Sequence, residues 1–150
     1  MRGETADALK DFKGWHPAIT RVIEKADTLH RWALFDRKPL SRWTDGRVAL
    51  MGDAAHPMLP FLAQGAAMAV EDAWVLAEVL AKGQDLNVYQ KRRLPRTSKV
   101  QAASRANMGL FHKRSRTAQL VTYGPMWMAG KVLPNIVHKR MDWLYGFDAT

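Results

Sequence analysis

The chain has 150 residues, a length that suits one domain, and its apolar content of 47% is typical of a globular protein. It contains no cysteine, which excludes disulfides, thiolate catalysis and cysteine-based metal sites. The N-terminus lacks the apolar segment of a signal peptide and no apolar run is long enough to cross a bilayer, so we expect a cytoplasmic protein without a membrane span.

The formal net charge of +9 is distributed unevenly along the sequence. Between Leu86 and Met141 no acidic residue occurs, whereas lysine and arginine recur throughout. A basic run of this kind attracts nucleic acid or an anionic membrane surface. We favour a simpler interpretation, a solvated helix face whose balancing acids lie in sequence outside this chain, and we expect no specific nucleic-acid partner.

The first segment, residues 6–29, is predicted to be helical because its apolar side chains recur at helical spacing. Gly14 and Pro17 interrupt the pattern, so we expect two helices rather than one. Proline is favoured in the first turn of a helix, and His16-Pro17 therefore marks the start of the second helix. The expected role of this segment is packing.

Two strands are predicted next. Arg31–Asp36 alternates aromatic and polar residues, and Arg47–Met51 is a short apolar run of strand type. Asp45-Gly46 is a strong turn signal just before the second strand. The connection between the two predicted strands is too long for a tight hairpin, so they need not be neighbours in a sheet.

The second strand ends in Gly52-Asp53, and a loop then runs to Gln64. This order places the Asp53 carboxylate at the carboxyl edge of a sheet, where ligands of open α/β sheets bind. An aspartate there can accept hydrogen bonds from sugar hydroxyls, and the alternative is that it caps the next turn. Pro60 stiffens the loop. His56 is interpreted as structural because no further metal ligand follows nearby, and no metal site is predicted.

A long apolar helix is predicted over Gly65–Ala81, with Lys82 and Gly83 ending it. Its first residues carry little side-chain bulk, so a flat ligand can approach the backbone closely. The free N–H groups and the positive end of the helix dipole favour negative charge there, which suits a flavin that becomes anionic on reduction. Such a helix is normally buried on most sides. Because few segments have strand character, we expect an incomplete core and exposed apolar surface on this helix.

The remaining sequence predicts further helices. Leu86–Arg93 should form a short basic helix that Pro95 ends, and Thr97–His112 the next helix. Tyr123–Pro125 marks a turn in a less regular stretch, and Val132–Leu144 has the pattern of a last amphipathic helix.

The motif from Gly46 to Ala66, Gly-Arg-Val-Ala-Leu-Met-Gly-Asp-Ala-Ala-His-Pro-Met-Leu-Pro-Phe-Leu-Ala-Gln-Gly-Ala, resembles the second FAD-binding motif of the single-component flavoprotein aromatic hydroxylases. It is most similar to the salicylate hydroxylase and 3-hydroxybenzoate 6-hydroxylase group. Trp32–Trp43 resembles the strand and turn before that motif, and Asp142–Asp148 resembles the end of such enzymes. No G-x-G-x-x-G occurs in the chain. The resemblance therefore implies a mostly helical α/β fragment, the C-terminal part of a Rossmann-like FAD/NAD(P)-binding monooxygenase fold without its N-terminal βαβ unit.

The resemblance also implies a set of residues that contact FAD: Gly52, Asp53, Pro60, Gly65, Ala66 and Ala67. In that assignment Asp53 binds the ribityl or ribose hydroxyls, and Pro60 lies beside the reactive edge of the isoalloxazine, next to the substrate. The backbone N–H groups of Gly65 and Ala66 meet the pyrimidine end of the flavin. No catalytic residue is assigned, because the family's phenol-activating base lies upstream of this motif.

The function implied is FAD- and NAD(P)H-dependent hydroxylation of a salicylate-like or hydroxybenzoate-like substrate by O2, through a flavin hydroperoxide. Residues 1–84 would belong to the FAD-binding and substrate domain and residues 85–150 to a helical arm, with a missing N-terminal FAD-binding portion as their partner. We expect this fragment to be inactive alone. The alternatives are a truncated non-catalytic relative that serves as a basic macromolecule-binding module, and a superfamily member that oxidises a non-phenolic ring or an alkene.

Overall fold

The computed structural model describes residues 1–113, 115–133, 135, 139 and 141–149. These residues form two compact units, residues 1–34 and residues 35–150. Helices dominate both units, in agreement with the predicted fold class, and the sheets in the described ranges are two-stranded and antiparallel. The parallel sheet of a Rossmann-like fold is not among the described elements. No helix in the described ranges is long and apolar enough to cross a membrane.

The first unit consists of two short helices and one two-stranded ribbon. Its elements are β1 (Arg2–Gly3), α1 (Thr5–Asp11), α2 (Pro17–Glu24) and β2 (Leu29–His30). The two strands pair antiparallel, with Arg2 opposite His30. The His16 imidazole caps α2, because its Nδ1 accepts a hydrogen bond from the Ala18 N–H at 3.2 Å. The prediction of two helices, the second opened by His16-Pro17, is confirmed.

The second unit begins with a tight hairpin of β3 (Thr44–Asp45) and β4 (Val48–Ala49). Gly46 occupies the turn with φ +56°, a conformation that side chains with a Cβ rarely adopt. The turn and the second predicted strand are therefore confirmed, although β4 is shorter than expected. The strand predicted over Arg31–Asp36 is wrong, because these residues find no neighbouring strand in the described part of the chain. Alternating side chains alone do not make a strand without a ladder partner.

The long apolar helix is α3 (Gly65–Ala81), with the predicted bounds. Gly83 ends it with φ +62°. One face is buried, and its side chains are Met68, Asp72, Val75 and Val79. The opposite face is apolar and exposed, with Val70 at 70% and Trp74 at 54%. Burial on most sides is thus not observed in this chain, whereas the expected exposed apolar surface on α3 is confirmed.

The next helix, α4 (Leu86–Phe111), passes through Pro95, so the predicted break there is wrong. Proline in a helix interior costs about 3 kcal/mol. Contacts on both sides of it offset that cost, because the Arg93 and Arg96 guanidiniums both bond to Glu71 of α3, at 2.6 and 2.7 Å. Hydrogen bonds to charged groups contribute about 1.5–3 kcal/mol each. Tertiary contacts therefore override the local signal of the proline.

Within the continuously described ranges 115–133 and 141–149, the helices are α5 (Arg116–Val132) and α6 (Asp142–Tyr145). The turn predicted at Tyr123–Pro125 is wrong, because α5 continues through it. The Tyr123 hydroxyl donates to the Leu110 carbonyl at 2.6 Å and anchors this part of α5 on the end of α4. Part of the helix predicted over Val132–Leu144 lies outside the described residues, and α6 contains its last positions.

The core of the second unit lies between α3, α4 and the segment that precedes α3. One buried cluster consists of Trp43, Ala55, Val75, Val79 and Tyr89, and a second consists of Met68, Val100 and Leu144. Full burial of a large apolar side chain contributes about 1.5–3 kcal/mol. These clusters hold the loop between β4 and α3 against both long helices.

Candidate cofactor site

The chain after β4 makes a single turn of 3₁₀-helix, Gly52–Ala54. Gly52 is buried and has φ +57°, and a Cβ at this position would lie 3.3 Å from the Cβ of Ala69 on α3. The Gly52 carbonyl accepts hydrogen bonds from the N–H groups of Ala55 and His56, both at 2.9 Å. Glycine is required here both by the backbone conformation and by the close approach to α3.

The Asp72 carboxylate of α3 holds this turn from below. One of its oxygens accepts the Gly52 N–H at 3.0 Å and lies 2.6 Å from His56 Nε2, and the other accepts Arg93 Nε at 2.7 Å. The Asp72, His56 and Arg93 side chains are at most 1% exposed. Burial alone would raise the pKa of the Asp72 carboxyl, but the hydrogen bonds from His56, Arg93 and Gly52 outweigh it and lower that pKa. The carboxylate is therefore charged at neutral pH.

Glu71 extends this arrangement to the end of the chain. Its carboxylate accepts hydrogen bonds from Arg93 Nη1 and from Nε and Nη2 of Arg96, at 2.6–2.7 Å. Arg96 also donates to the carbonyls of Trp143 at 2.9 Å and Leu144 at 3.1 Å. We call the set His56, Glu71, Asp72, Arg93 and Arg96 the buried ion cluster. It connects the Gly52 turn, α3, α4 and α6.

A groove of about 520 Å³ opens above the Gly52 turn and the start of α3. Its lining residues are Asp53, Met58, Leu59, Pro60, Ala63, Gly65, Ala66 and Ala69. The structure thus brings together Asp53, Pro60, Gly65 and Ala66 from the predicted set. Gly52 is buried behind the groove, and Ala67 is exposed in the first turn of α3 but does not line it.

The groove combines an acceptor, a positive helix end and apolar walls. Asp53 is exposed and makes no hydrogen bond or ion pair within the described ranges, so its carboxylate is available to a ligand. Gln64 precedes α3 without a side-chain cap, which leaves the first N–H groups of this helix free. A Cβ at Gly65 would meet only Met58 Cγ, at 4.0 Å, so the fold does not require glycine there. These features fit a flat ligand that carries hydroxyl groups and negative charge.

One face of α4 supports the loop that forms the other wall of the groove. Side chains three residues apart donate to alternate loop carbonyls: Gln101 to Pro57 at 2.8 Å, Ser104 to Leu59, and Asn107 to Phe61 at 3.3 Å. Buried carbonyls without a partner cost about 1–3 kcal/mol each, so these donors stabilise an otherwise irregular segment. The α4 helix therefore fixes the loop without lining the groove.

Residues of the segment before the β3–β4 hairpin form hydrogen bonds to the end of the Gly52 turn. Arg37 donates to the carbonyls of Ala54 and Ala55. The neighbouring Asp36 pairs with Arg105 of α4 in a two-pronged contact of 2.6 and 2.9 Å. The Arg105 guanidinium lowers the pKa of the Asp36 carboxyl. A stretch without regular structure is thereby attached to both the turn and α4.

Sequence reasoning did not identify the buried ion cluster or the polar face of α4. A signal for the cluster exists, because Glu71-Asp72 are adjacent acids within an otherwise apolar helix. Buried carboxylates need partners, and the nearest arginines along the chain are those of α4. The interpretation of His56 as structural agrees with its position, since its ring contacts Asp72 and Trp43 and does not line the groove. No group of three or more potential metal ligands occurs in the described residues.

Comparison with known proteins identifies this chain as one of the flavin-binding class. A family model described as an FAD binding domain matches residues 8–104, more than half of the chain. The 3-hydroxybenzoate 6-hydroxylase 1 of Aquipseudomonas alcaligenes is 39% identical over 95% of this chain and 36% of its own length. The 3-amino-4-hydroxybenzoate 2-monooxygenase PtmB3 of Streptomyces platensis is 41% identical over 99% of this chain and 36% of its own length.

Solved structures agree with these relatives. A salicylate hydroxylase in a substrate complex superposes with a TM-score of 0.75 at 32% identity, over 99% of this chain and 36% of that one. Klebsiella pneumoniae HpxO complexed with FAD and uric acid gives a TM-score of 0.75 at 30% identity, over 93% of this chain and 37% of that one. The chain therefore belongs to the FAD-binding domain family of the aromatic-hydroxylase flavoproteins, and its cofactor is FAD. It spans 36% of the length of the first relatives described above.

Proposed function

We propose that the protein carrying this chain is an FAD-dependent monooxygenase that uses NAD(P)H and O2 to hydroxylate an aromatic substrate of the hydroxybenzoate class. One observation carries the proposal. The free Asp53 carboxylate and the uncapped start of α3 line the same groove. Gly65, the first residue of α3, also lines it, and the fold itself does not require glycine at that position. Relatives named for hydroxybenzoate and hydroxynicotinate oxidation support the substrate class.

The residues of this chain would act on FAD by binding and electrostatics, whereas the bound cofactor supplies the hydride and oxygen chemistry. Asp53 accepts hydrogen bonds from the ribityl or ribose hydroxyls. The N–H groups at Gly65, Ala66 and Ala67 stabilise negative charge at the pyrimidine end of the ring, because they are oriented before any charge develops. Glycine at position 65 lets the backbone reach the ring plane.

The wall of the groove formed by Met58, Leu59 and Pro60 would face the reactive edge and the substrate. Leu59 is buried and Pro60 starts a short 3₁₀ turn, so this wall is rigid and apolar. An apolar wall excludes water and lowers the local dielectric, which strengthens the electrostatic contacts at the helix end. In this proposal residues 1–84 contribute to the FAD and substrate domain, and residues 85–150 form a supporting helical arm.

The test uses the native gene product that contains residues 1–150. We expect it to purify with bound FAD and to oxidise NADH or NADPH faster when an aromatic substrate is present. The substrates to try are 3-hydroxybenzoate, salicylate, 3-amino-4-hydroxybenzoate and 6-hydroxynicotinate. Mass spectrometry of products formed under ¹⁸O2 separates hydroxylation from unproductive oxidation of the nicotinamide. A protein that binds no FAD and incorporates no ¹⁸O into any of these rings would contradict the proposal.

A further inference from the structure

The turn that carries Asp53 is bonded at both of its ends to the carboxylate of Asp72. The Gly52 N–H and the His56 ring both bond to the same oxygen of Asp72, at 3.0 and 2.6 Å. Arg93 holds the other oxygen at 2.7 Å. Because Asp72 belongs to α3, these bonds fix the position of Asp53 relative to the start of that helix.

The surroundings of His56 indicate which of its two ring nitrogens carries the proton. Its Nδ1 is buried and has no hydrogen-bond partner in the described structure. A buried N–H without an acceptor costs more than a buried lone pair, so the proton belongs on Nε2, where it is donated to Asp72. The ring is thus the donor in the contact with Asp72, and the Arg93 and Arg96 guanidiniums are the cations that pair with the Glu71 and Asp72 carboxylates.

Asp53 itself contributes nothing visible to the fold. Its carboxylate is exposed, it has no partner in the described ranges, and it lines the groove. The residues under it are, in contrast, fully buried and completely bonded apart from the His56 Nδ1. A rigid support beneath a free carboxylate is the arrangement expected when the position of that carboxylate matters to a ligand.

We propose that His56 and Asp72 are positioning residues for the cofactor, which act through Asp53 without touching FAD. The inference rests on the proposed function, since it requires that Asp53 binds FAD. It assigns a cofactor role to two buried side chains on the far side of the turn from the groove. Loss of the His56 donor should weaken FAD binding because the turn loses one of its two attachments to α3.

A double-mutant cycle in the native gene product tests this assignment. His56→Leu and His56→Gln are each made with Asp53 intact and with Asp53→Asn, and the Kd of FAD is measured on the apoprotein. We expect His56→Leu to weaken FAD binding about tenfold when Asp53 is present and less than about twofold in the Asp53→Asn background, because contacting or linked sites are non-additive. His56→Gln, whose amide can still donate to Asp72, should restore most of the affinity.

Val79→Ala is the matched control, because Val79 is a buried residue of α3 like Asp72 but its apolar side chain makes no hydrogen bond to the turn. It should lower the melting temperature without changing the Kd. The inference is overturned if His56→Leu weakens binding equally in both backgrounds, if Val79→Ala has the same effect, or if Asp53→Asn leaves the Kd unchanged. If the unmodified protein binds no FAD, the proposed function fails first and the inference fails with it.

Discussion

Two glycines of the same motif have different reasons to be glycine. Gly52 has φ +57°, which disfavours any residue with a Cβ, and a Cβ there would make a tight contact of 3.3 Å with Ala69, so the fold favours glycine. Gly65 has open space around its missing Cβ, with only Met58 at 4.0 Å, and it faces the groove. Under the proposed function, a requirement for glycine at position 65 would come from the bound FAD. Single-residue variants separate these two causes.

Gly65→Val is expected to leave the free energy of unfolding within about 0.5 kcal/mol of the original, since no strained contact forms. It should nevertheless weaken FAD binding at least tenfold, because the valine occupies the space into which the ring must enter. Gly52→Ala should lower the free energy of unfolding by about 1–3 kcal/mol through backbone strain. Urea unfolding and FAD titration of the native gene product measure both quantities. Unchanged FAD affinity in Gly65→Val would show that close backbone approach is not needed.

Asp53→Asn addresses the carboxylate directly. A hydrogen bond to a charged group contributes about 1.5–3 kcal/mol, so we expect FAD binding to weaken by about that amount. The melting temperature should not change, because Asp53 is exposed and makes no bond within the described ranges. Asp45→Asn is a suitable control, since Asp45 is also exposed and its carboxylate pairs with Arg42 at the surface. Equal FAD affinity in the two variants would refute the hydroxyl-binding role of Asp53.

At the level of elements, the sequence predicts correctly those helices and strands whose ends are set by neighbouring residues. It fails where contacts between residues far apart in the chain decide the structure. The bounds of α3 follow from local signals, the small residues before it and the Lys82-Gly83 stop after it, and they were predicted correctly. The break at Pro95 was wrong because Arg93 and Arg96 are held by Glu71, more than twenty residues earlier in the chain. The groove residues were predicted as a continuous motif, whereas the buried ion cluster depends on packing of α3 against α4 and was missed.

Pro95 gives an element-scale prediction. It is exposed in the middle of α4, and it removes one backbone donor there. Pro95→Ala should raise the free energy of unfolding, by up to about 3 kcal/mol. The matched control is Gly109→Ala in the same helix, where nothing lies within 4 Å of the new Cβ and the gain should be only about 0.5–1 kcal/mol. Chemical denaturation measures the free energy of unfolding of both variants. A lower value for Pro95→Ala than for the original protein would mean that the proline stabilises α4.

Across the whole molecule, the uneven charge is partly balanced inside the chain. Glu71 pairs with Arg93 and Arg96, and Arg92 bonds to Glu78 at 2.6 Å. The expectation that the balancing acids lie elsewhere is thus wrong for these arginines. Because these arginines form ion pairs within the chain, fewer positive charges of the basic run are available to bind an external polyanion. The alternative function as a basic binding module loses support accordingly.

The same pairs predict how the protein responds to acid. Burial would raise the pKa values of Glu71 and Asp72, but hydrogen bonds from Arg96 and Arg93 to Glu71, and from His56 and Arg93 to Asp72, outweigh it and lower both. A carboxyl whose pKa is lowered by folding adds stability above its unfolded pKa of about 4, and this stability is lost as the pH falls through the folded pKa. We therefore expect the free energy of unfolding to fall steeply below about pH 4.

Because the buried ion cluster joins the turn, α3, α4 and α6, its protonation should loosen all of them together. Urea unfolding between pH 7 and pH 3, followed by both tryptophan fluorescence and circular dichroism, should give one coincident transition that moves to lower urea as the pH drops. In Glu71→Gln/Asp72→Asn the protein should be less stable at pH 7, since Arg93 loses its buried counter-charges, and the dependence on pH should be much weaker. Glu4→Gln, an exposed acid in the first unit, should leave the dependence intact. An unchanged pH slope in the double variant would show that the acid sensitivity originates outside this cluster.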